Sequence, residues 1–366
     1  MIKYPSTAIY KDIMGRVPVP PAISILLPLH PLLSSRTELQ HRVKVALENI
    51  RHRLLEIYPV DATAAVMARL QRLQAQVDYS HRHKSIGLFA SPQIAKLWYF
   101  DTAVDERIVI GDSFAVRELV ADSKQLRQYL LVVLSEKECR FYHADENRLD
   151  LLRTHAPTEV FAYANEKPER VANFSDPRER KEIVIDKFIH HMDDQLSQIL
   201  ALHPLPVFVL GPERVVGHFK AHSRHLPQVA AWAHGNYVDG QESQLLAVIQ
   251  PSLDAWRLQH RQRLLALVAK AADEQRLSTG IDAAWTDASR KRGRLLLVEK
   301  GFRIPASHGE TPDRIIPEKA PEISPSDIPD TVDALIGQVI ANGGDVEFVE
   351  DGDLSDHHHI ALIRYY

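Results

Sequence analysis

Between Tyr129 and Arg153 the chain reads YLLVVLS, CRFYHAD and RLDLLR, three strand-like segments parted by short polar breaks. Such spacing is that of an antiparallel meander. From Glu182 the pattern changes to alternating units: a helix to about Leu202, the strand PVFVL, a helix through Phe219 and another helix after Gly240. A meander that continues into alternating helices and strands needs a sheet with helices packed on it, so residues 127–272 are expected to form an α/β domain. The stretch from Arg170 to Lys181 is charged and contains Pro177, and it reads as an exposed loop.

The flanking parts have patterns of their own. Ile23 to Leu27 is a short apolar run stopped by Pro28, which suits a buried strand. Ser35 and Glu38 form a capping-box pair, after which Leu39, Val43, Leu47, Ile50, Leu54 and Ile57 recur at helical spacing. Arg42, Lys44, Arg51 and Arg53 lie on the opposite face of that helix. Tyr58 and Pro59 break it, Ala65 to Val77 reads as a second helix, and SIGLFAS and AKLWYF read as strands. Residues 1–126 therefore describe a sheet with a helical hairpin.

Toward the other end, a long helix from about Leu253 to Glu274 carries Trp256, Leu264, Leu267 and Val268 on its apolar side, and Gly280 ends the connection. Residues 273–366 then hold the strand RLLLVEK, the helix TVDALIGQVIANGG and the strands DVEFVE and HIALIRYY, a small α/β sandwich. Prolines crowd residues 305–329, too many for a helix or a central strand, and this reads as a surface insertion.

Composition removes several function classes. Cys139 is the single cysteine of the 366 residues, which excludes an internal disulfide and zinc sites built on paired thiolates, and points to a cytoplasmic setting. The N-terminus lacks a signal-peptide pattern, and no apolar run approaches membrane-spanning length. A net charge of -4 argues against a general nucleic-acid coat, so any RNA contact is expected to be local. Neither a phosphate-binding glycine loop, nor GxSxG, nor HExxH is present, and no cofactor or small-molecule substrate is indicated. His218 and His222 share a helical face with His225 nearby. A metal site there is set aside, because no neighbouring cysteine or carboxylate completes a ligand set and Lys220 and Arg224 would repel a cation. His357-His358-His359 precedes a strand and is read as native and solvent-facing.

Ser24-Ile25-Leu26-Leu27-Pro28 is followed by a basic helix containing Arg42-Val43. The meander leads to Val207-Phe208-Val209-Leu210-Gly211-Pro212. Glu274, Thr279-Gly280 and Arg292-Gly293 lead into Leu295-Leu296-Leu297-Val298-Glu299, with Asn342-Gly343-Gly344-Asp345-Val346 and Ile360 to Tyr365 beyond. In this order the segments resemble archaeal and eukaryotic release factor subunit 1 and its relative Pelota. More specifically they resemble the bacterial relatives of those proteins, the group that includes the ribosome hibernation factor Balon. The resemblance spans nearly the whole chain. It implies a combined α/β and α+β fold in three domains, with a ribonuclease-H-like middle domain.

Two departures shape the expected function. Release factors of this group carry a Gly-Gly-Gln tip on the middle domain, whereas Glu166 to Lys181 contains no glycine, and Gly240-Gln241 reads as a turn before a helix. The stop-codon-reading Asn-Ile-Lys-Ser tip is replaced by SRTELQHR, Ser35 to Arg42. The resemblance thus implies a non-catalytic factor in the ribosomal A site, serving hibernation or stress protection, with ribosomal RNA and elongation factor Tu as its partners. The alternatives are a peptidyl-tRNA hydrolase using Gln195 or Gln198, and a metal-dependent nuclease. The nuclease ranks last because YLLVVLS and PVFVL carry no carboxylates. Expected contact residues are Arg36, Gln40, His41 and Arg42 at a helix start, Arg82 and Lys84 before a strand, and the cluster Arg290, Lys291, Arg292 and Arg294. For that last cluster a solvated helix end is the plainer reading.

Overall fold

The computed structural model describes residues 13, 18–29, 36–79, 83–124, 128–145, 148–152, 177–308, 315–317, 327–328 and 330–366. By contacts the chain divides into two units, one of residues 1–5 and 125–263 and the other of residues 6–124 and 264–366.

The first unit is organised by a five-stranded sheet in the order β7-β6-β5-β8-β9. Its strands are β5 (Gln128–Leu134), β6 (Cys139–Asp145), β7 (Arg148–Leu152), β8 (Val207–Gly211) and β9 (Val229–His234). The first three pair antiparallel, as the meander requires, and β8 and β9 extend the sheet in parallel. Alternation along β5 explains its unbroken apolar run. Leu130, Val132 and Leu134 face helices α4 (Pro177–Leu202) and α5 (Glu213–His222), through Ile185, Phe188, Ile189 and Phe219. Tyr129, Leu131 and Val133 face the long helix α6 (Glu242–Asp273), through Leu245, Ile249, Leu253 and Trp256. A strand covered on both faces has no position left for a polar residue. Each fully buried Leu or Val stabilises the fold by about 1.5–3 kcal/mol.

The second unit holds two main sheets. β1 (Ala22–Pro28), β2 (Ser85–Ala90), β3 (Ala95–Phe100) and β4 (Arg107–Gly111) form an antiparallel sheet in the order β3-β2-β1-β4. Helices α1 (Arg36–Ile57) and α2 (Val60–Gln76) cover one face, where Leu39, Val43, Leu54, Val66 and Leu70 meet Ile23, Ile25 and Leu27. The other main sheet is β10-β16-β11-β15, from β10 (Leu277–Thr279), β11 (Gly293–Glu299), β15 (Asp345–Val349) and β16 (Ile360–Arg364). It packs against α7 (Gly280–Ser289) and α8 (Thr331–Ala341). On its opposite face Leu295 and Leu297 meet Leu264, Val268 and Ala271 of α6.

One apolar cluster joins the two sheets of this unit. It contains Leu26, Phe89 and Phe100 from the first sheet, Leu119 and Val120 from α3 (Arg117–Lys124), Leu296 and Val298 from the second sheet, and Trp285 from α7. Lys124 adds an ion pair, with Nζ 2.8 Å from Asp345 Oδ1 and 3.0 Å from Glu347 Oε1. The turn Asn342-Gly343-Gly344 feeds β15. Gly343 has φ +84°, and a Cβ on Gly344 would lie 2.7 Å from the Gly293 carbonyl, so neither position accepts an ordinary side chain.

Several expectations are corrected. Pro177 does not sit in a loop; it opens α4, where its missing N–H is no loss. Arg170 to Asp176, and Ser35 of the capping pair, lie outside the described residues. The two helices expected after Gly240 are one, with Pro251 inside it. Ile57 is 46% exposed at the end of α1 and does not join the buried stripe. Strands β4 and β9 and helices α3 and α7 are not foreshadowed by the residue pattern, and the proline-rich stretch contains three short strands, β12 (Ala306–His308), β13 (Ile315–Pro317) and β14 (Asp327–Ile328), in a sheet of their own.

Candidate functional site

Three places bear on function, beginning with the middle-domain segment where a peptide-releasing tip is expected. Much of that segment lies outside the described residues, and its last part, from Pro177, is helical. The chain has no glycine between Gly111 and Gly211. Gln195 is buried within α4 and Gln198 lies on the same helix, so the backbone around both is held by helical hydrogen bonds. Gly240 donates its N–H to the Tyr237 carbonyl, and the Gln241 carbonyl accepts from Gln244 and Leu245. That is a turn followed by a helix start, as the sequence predicts.

The second place is the set of basic residues. Arg36, Gln40 and His41 are exposed on the first turns of α1. Arg42 is not available in the same way, because its guanidinium bonds the Pro28 carbonyl at 3.4 Å and Glu106 at 2.5 Å. Lys84 is exposed just before β2, while Arg82 lies outside the described residues. Arg290 and Lys291 are exposed where α7 ends. Lys291 adopts φ +58° and Arg292 N–H returns to the Asp287 carbonyl, the geometry of a helix C-terminus whose cations complement its dipole. Arg292 pairs with Asp287 at 3.4 Å, and Arg294 lies half-buried in β11 with its Nε enclosed. The cluster is thus split between two outward cations and two that belong to the fold.

A third place emerges where α4 meets α5. Asp186 Oδ1 lies 2.7 Å from His218 Nδ1 and 3.1 Å from His222 Nε2. Further along α4, buried Asp193 accepts from Ser223 Oγ at 2.6 Å and from Arg224 Nε at 2.9 Å, two residues just past the end of α5. Burial alone would raise the Asp193 carboxyl, but these hydrogen bonds outweigh it and hold it below its ordinary range. Ser197 Oγ lies 2.6 Å from His225 Nε2. The sequence reading found no carboxylate to accompany His218 and His222. Asp186 supplies one, from a helix 32 residues earlier in the chain.

Residues 128–292, just under half of the chain, match the family described as bacterial archaeo-eukaryotic release factor family 3. Over these residues the chain is a relative of the archaeo-eukaryotic release factor group. The match takes in the five-stranded sheet, α4 to α7 and the α4–α5 contact. No curated protein matches the sequence significantly. Among solved structures, this release-factor relative is similar to the archaeal translation termination factor aRF1, with 10% identity, coverage of 99% of this chain and 97% of that one, and a TM-score of 0.26. It is similar to archaeal Pelota, from a model of ribosome-bound Pelota and ABCE1, at 15% identity, with 74% and 72% of the two chains covered and a TM-score of 0.43. It is also similar to Saccharomyces cerevisiae Dom34 at 13% identity, with 77% and 74% covered and a TM-score of 0.43. At these identities and scores none of the three fixes the role of a residue. Among the described residues, no helix is long and apolar enough to cross a membrane.

Proposed function

We propose that this chain binds the ribosome in the A site without releasing the nascent peptide, and that it protects idle ribosomes in hibernation or stress. The observation that carries the reading is the coexistence, within one segment, of a release-factor family match and a sequence without glycine from residue 112 to residue 210. Peptide release in this group needs a backbone stripped of side chains beside the peptidyl ester, and a segment without glycine does not provide one. Keeping the scaffold while losing the chemistry suits a protein that occupies a site.

Binding would use phosphate contacts, which position a protein without reading sequence. Arg36, Gln40 and His41, exposed at the start of α1, are the contact residues this reading favours. The test is a pull-down of tagged protein from growing and from stationary or chilled cells, followed by electron cryo-microscopy of the ribosomes recovered. Density for the chain in the A site of vacant ribosomes supports the reading. A tagged protein that never travels with 70S particles defeats it.

A further inference from the structure

We propose that Asp186, His218 and His222, with His190 beside them, form a binding site for a divalent transition metal, of which zinc is the best fit. His218 and His222 are four residues apart on α5, and Asp186 and His190 are four apart on α4. Each pair therefore shares a helix face. The Asp186, His218 and His222 ligand atoms all lie within 4.8 Å of one another, and the His190 ring centroid is 4.9 Å from that of His222. Zinc at bond lengths of about 2.0–2.1 Å holds tetrahedral ligand atoms about 3.3 Å apart, so the trio needs only a small opening of its present contacts. Imidazole nitrogens and a carboxylate oxygen are ligands that zinc accepts in this combination.

The surroundings favour a cation more than the sequence suggests. Lys220 Nζ stands 4.7 Å over the Trp232 ring, and Arg224 is engaged by Asp193 and Asp194, so both positive charges are committed to other partners. The helix backbones that carry the ligands are anchored, because Ile185 and Phe188 of α4 and Val216 and Phe219 of α5 are buried in one apolar cluster. The Asp186, His218 and His222 side chains are 34%, 18% and 32% exposed, which leaves the metal a route in. Bound there, zinc clamps α4 to α5, two helices that cover the same face of the sheet.

The inference is independent of ribosome binding, and its test needs no ribosome. Zinc chloride is titrated into the purified full chain by calorimetry, and cobalt substitution is followed by visible absorption. The site predicts one ion per chain, a tetrahedral cobalt spectrum and a higher melting temperature with zinc. In His218→Ala/His222→Ala, with folding verified by circular dichroism, affinity falls by about tenfold or more and the zinc-induced shift in melting temperature disappears. Asp186→Asn, which keeps the side-chain shape, weakens binding in the same direction. The His357-His358-His359 run is the competing binder, so a variant with all three changed to alanine is measured alongside and retains the site. Undiminished binding in the double variant, or loss of binding in the His357–His359 variant, overturns the proposal.

Discussion

Asp333 Oδ1 accepts the backbone N–H of Arg117 at 2.9 Å, across 216 residues of sequence, and that of Val116 at 2.8 Å. A carboxylate on α8 thereby caps the N-terminus of α3, whose first amides have no partner within their own helix. The Arg117 guanidinium, almost fully buried, donates to the carbonyls of Lys300 and Phe302 and lies 3.9 Å from Asp330. Arg303 bonds Glu118 at 2.9 Å, and Arg107 stands 3.6 Å from Asp330. Beginning and end of the chain are thus tied together by a charge network as well as by their shared apolar cluster.

Burial pushes the Asp333 carboxyl up to about 7, and Asp330 and Glu118 add to the rise against the pull of the two amide hydrogen bonds. With the folded value raised, the folded state binds the proton more tightly than the unfolded state does. The contribution to stability is therefore full below the ordinary value of 3.8 and is lost as pH rises through about 7. Asp333→Asn keeps an oxygen for the two amides and removes the titration. Urea unfolding between pH 5 and pH 8 is expected to show a flatter pH dependence for the variant than for the parent; parallel curves would mean that Asp333 remains ionised throughout.

Two arginines separate buried from exposed pairing. Arg117→Ala leaves carbonyls and carboxylates without their donor in a closed setting and should cost about 3–5 kcal/mol. Arg42→Ala removes a pair whose Glu106 partner is about half exposed and should cost about 1 kcal/mol or less. Chemical denaturation of the two variants side by side reads the difference, and equal costs would contradict the assignment of Arg117 to a buried network.

Much of this architecture can be read from periodicity. The doubly covered strand YLLVVL, the helical stripe from Leu39 to Leu54 and the meander all announce themselves, because burial imposes a period that survives in the residue pattern. Strand β9 did not, since VAAWAH is half-exposed along its length and its alanines carry little signal. Helix α3 is only eight residues long and owes its start to Asp333, a residue no local window contains. The Asp186 contact with His218 and His222 was hidden for the same reason: spacing within α5 is visible in the sequence, but the partner helix is assigned by packing. For the basic cluster, sequence counted four cations where the fold directs only Arg290 and Lys291 outward and keeps Arg292 and Arg294 half-buried.

Arg36, Gln40 and His41 offer the direct probe of the proposed ribosome contact. Changing all three to alanine, while Leu39 and Val43 remain to hold the core, should leave unfolding unchanged and lower ribosome affinity by roughly tenfold or more at moderate salt. Binding of the parent should weaken as salt rises, with a steeper slope than that of the variant. Identical affinities and slopes would move the contact elsewhere on the chain.

The central claim is occupancy without release, and one sedimentation experiment addresses it. Ribosomes carrying a labelled peptidyl-tRNA in the P site and an empty A site are incubated with excess purified chain and spun through a sucrose cushion. The account predicts that the chain pellets with the ribosomes in about equal amount and that the label stays esterified to the tRNA. A chain left in the supernatant, or a labelled peptide freed in proportion to the protein added, would contradict it.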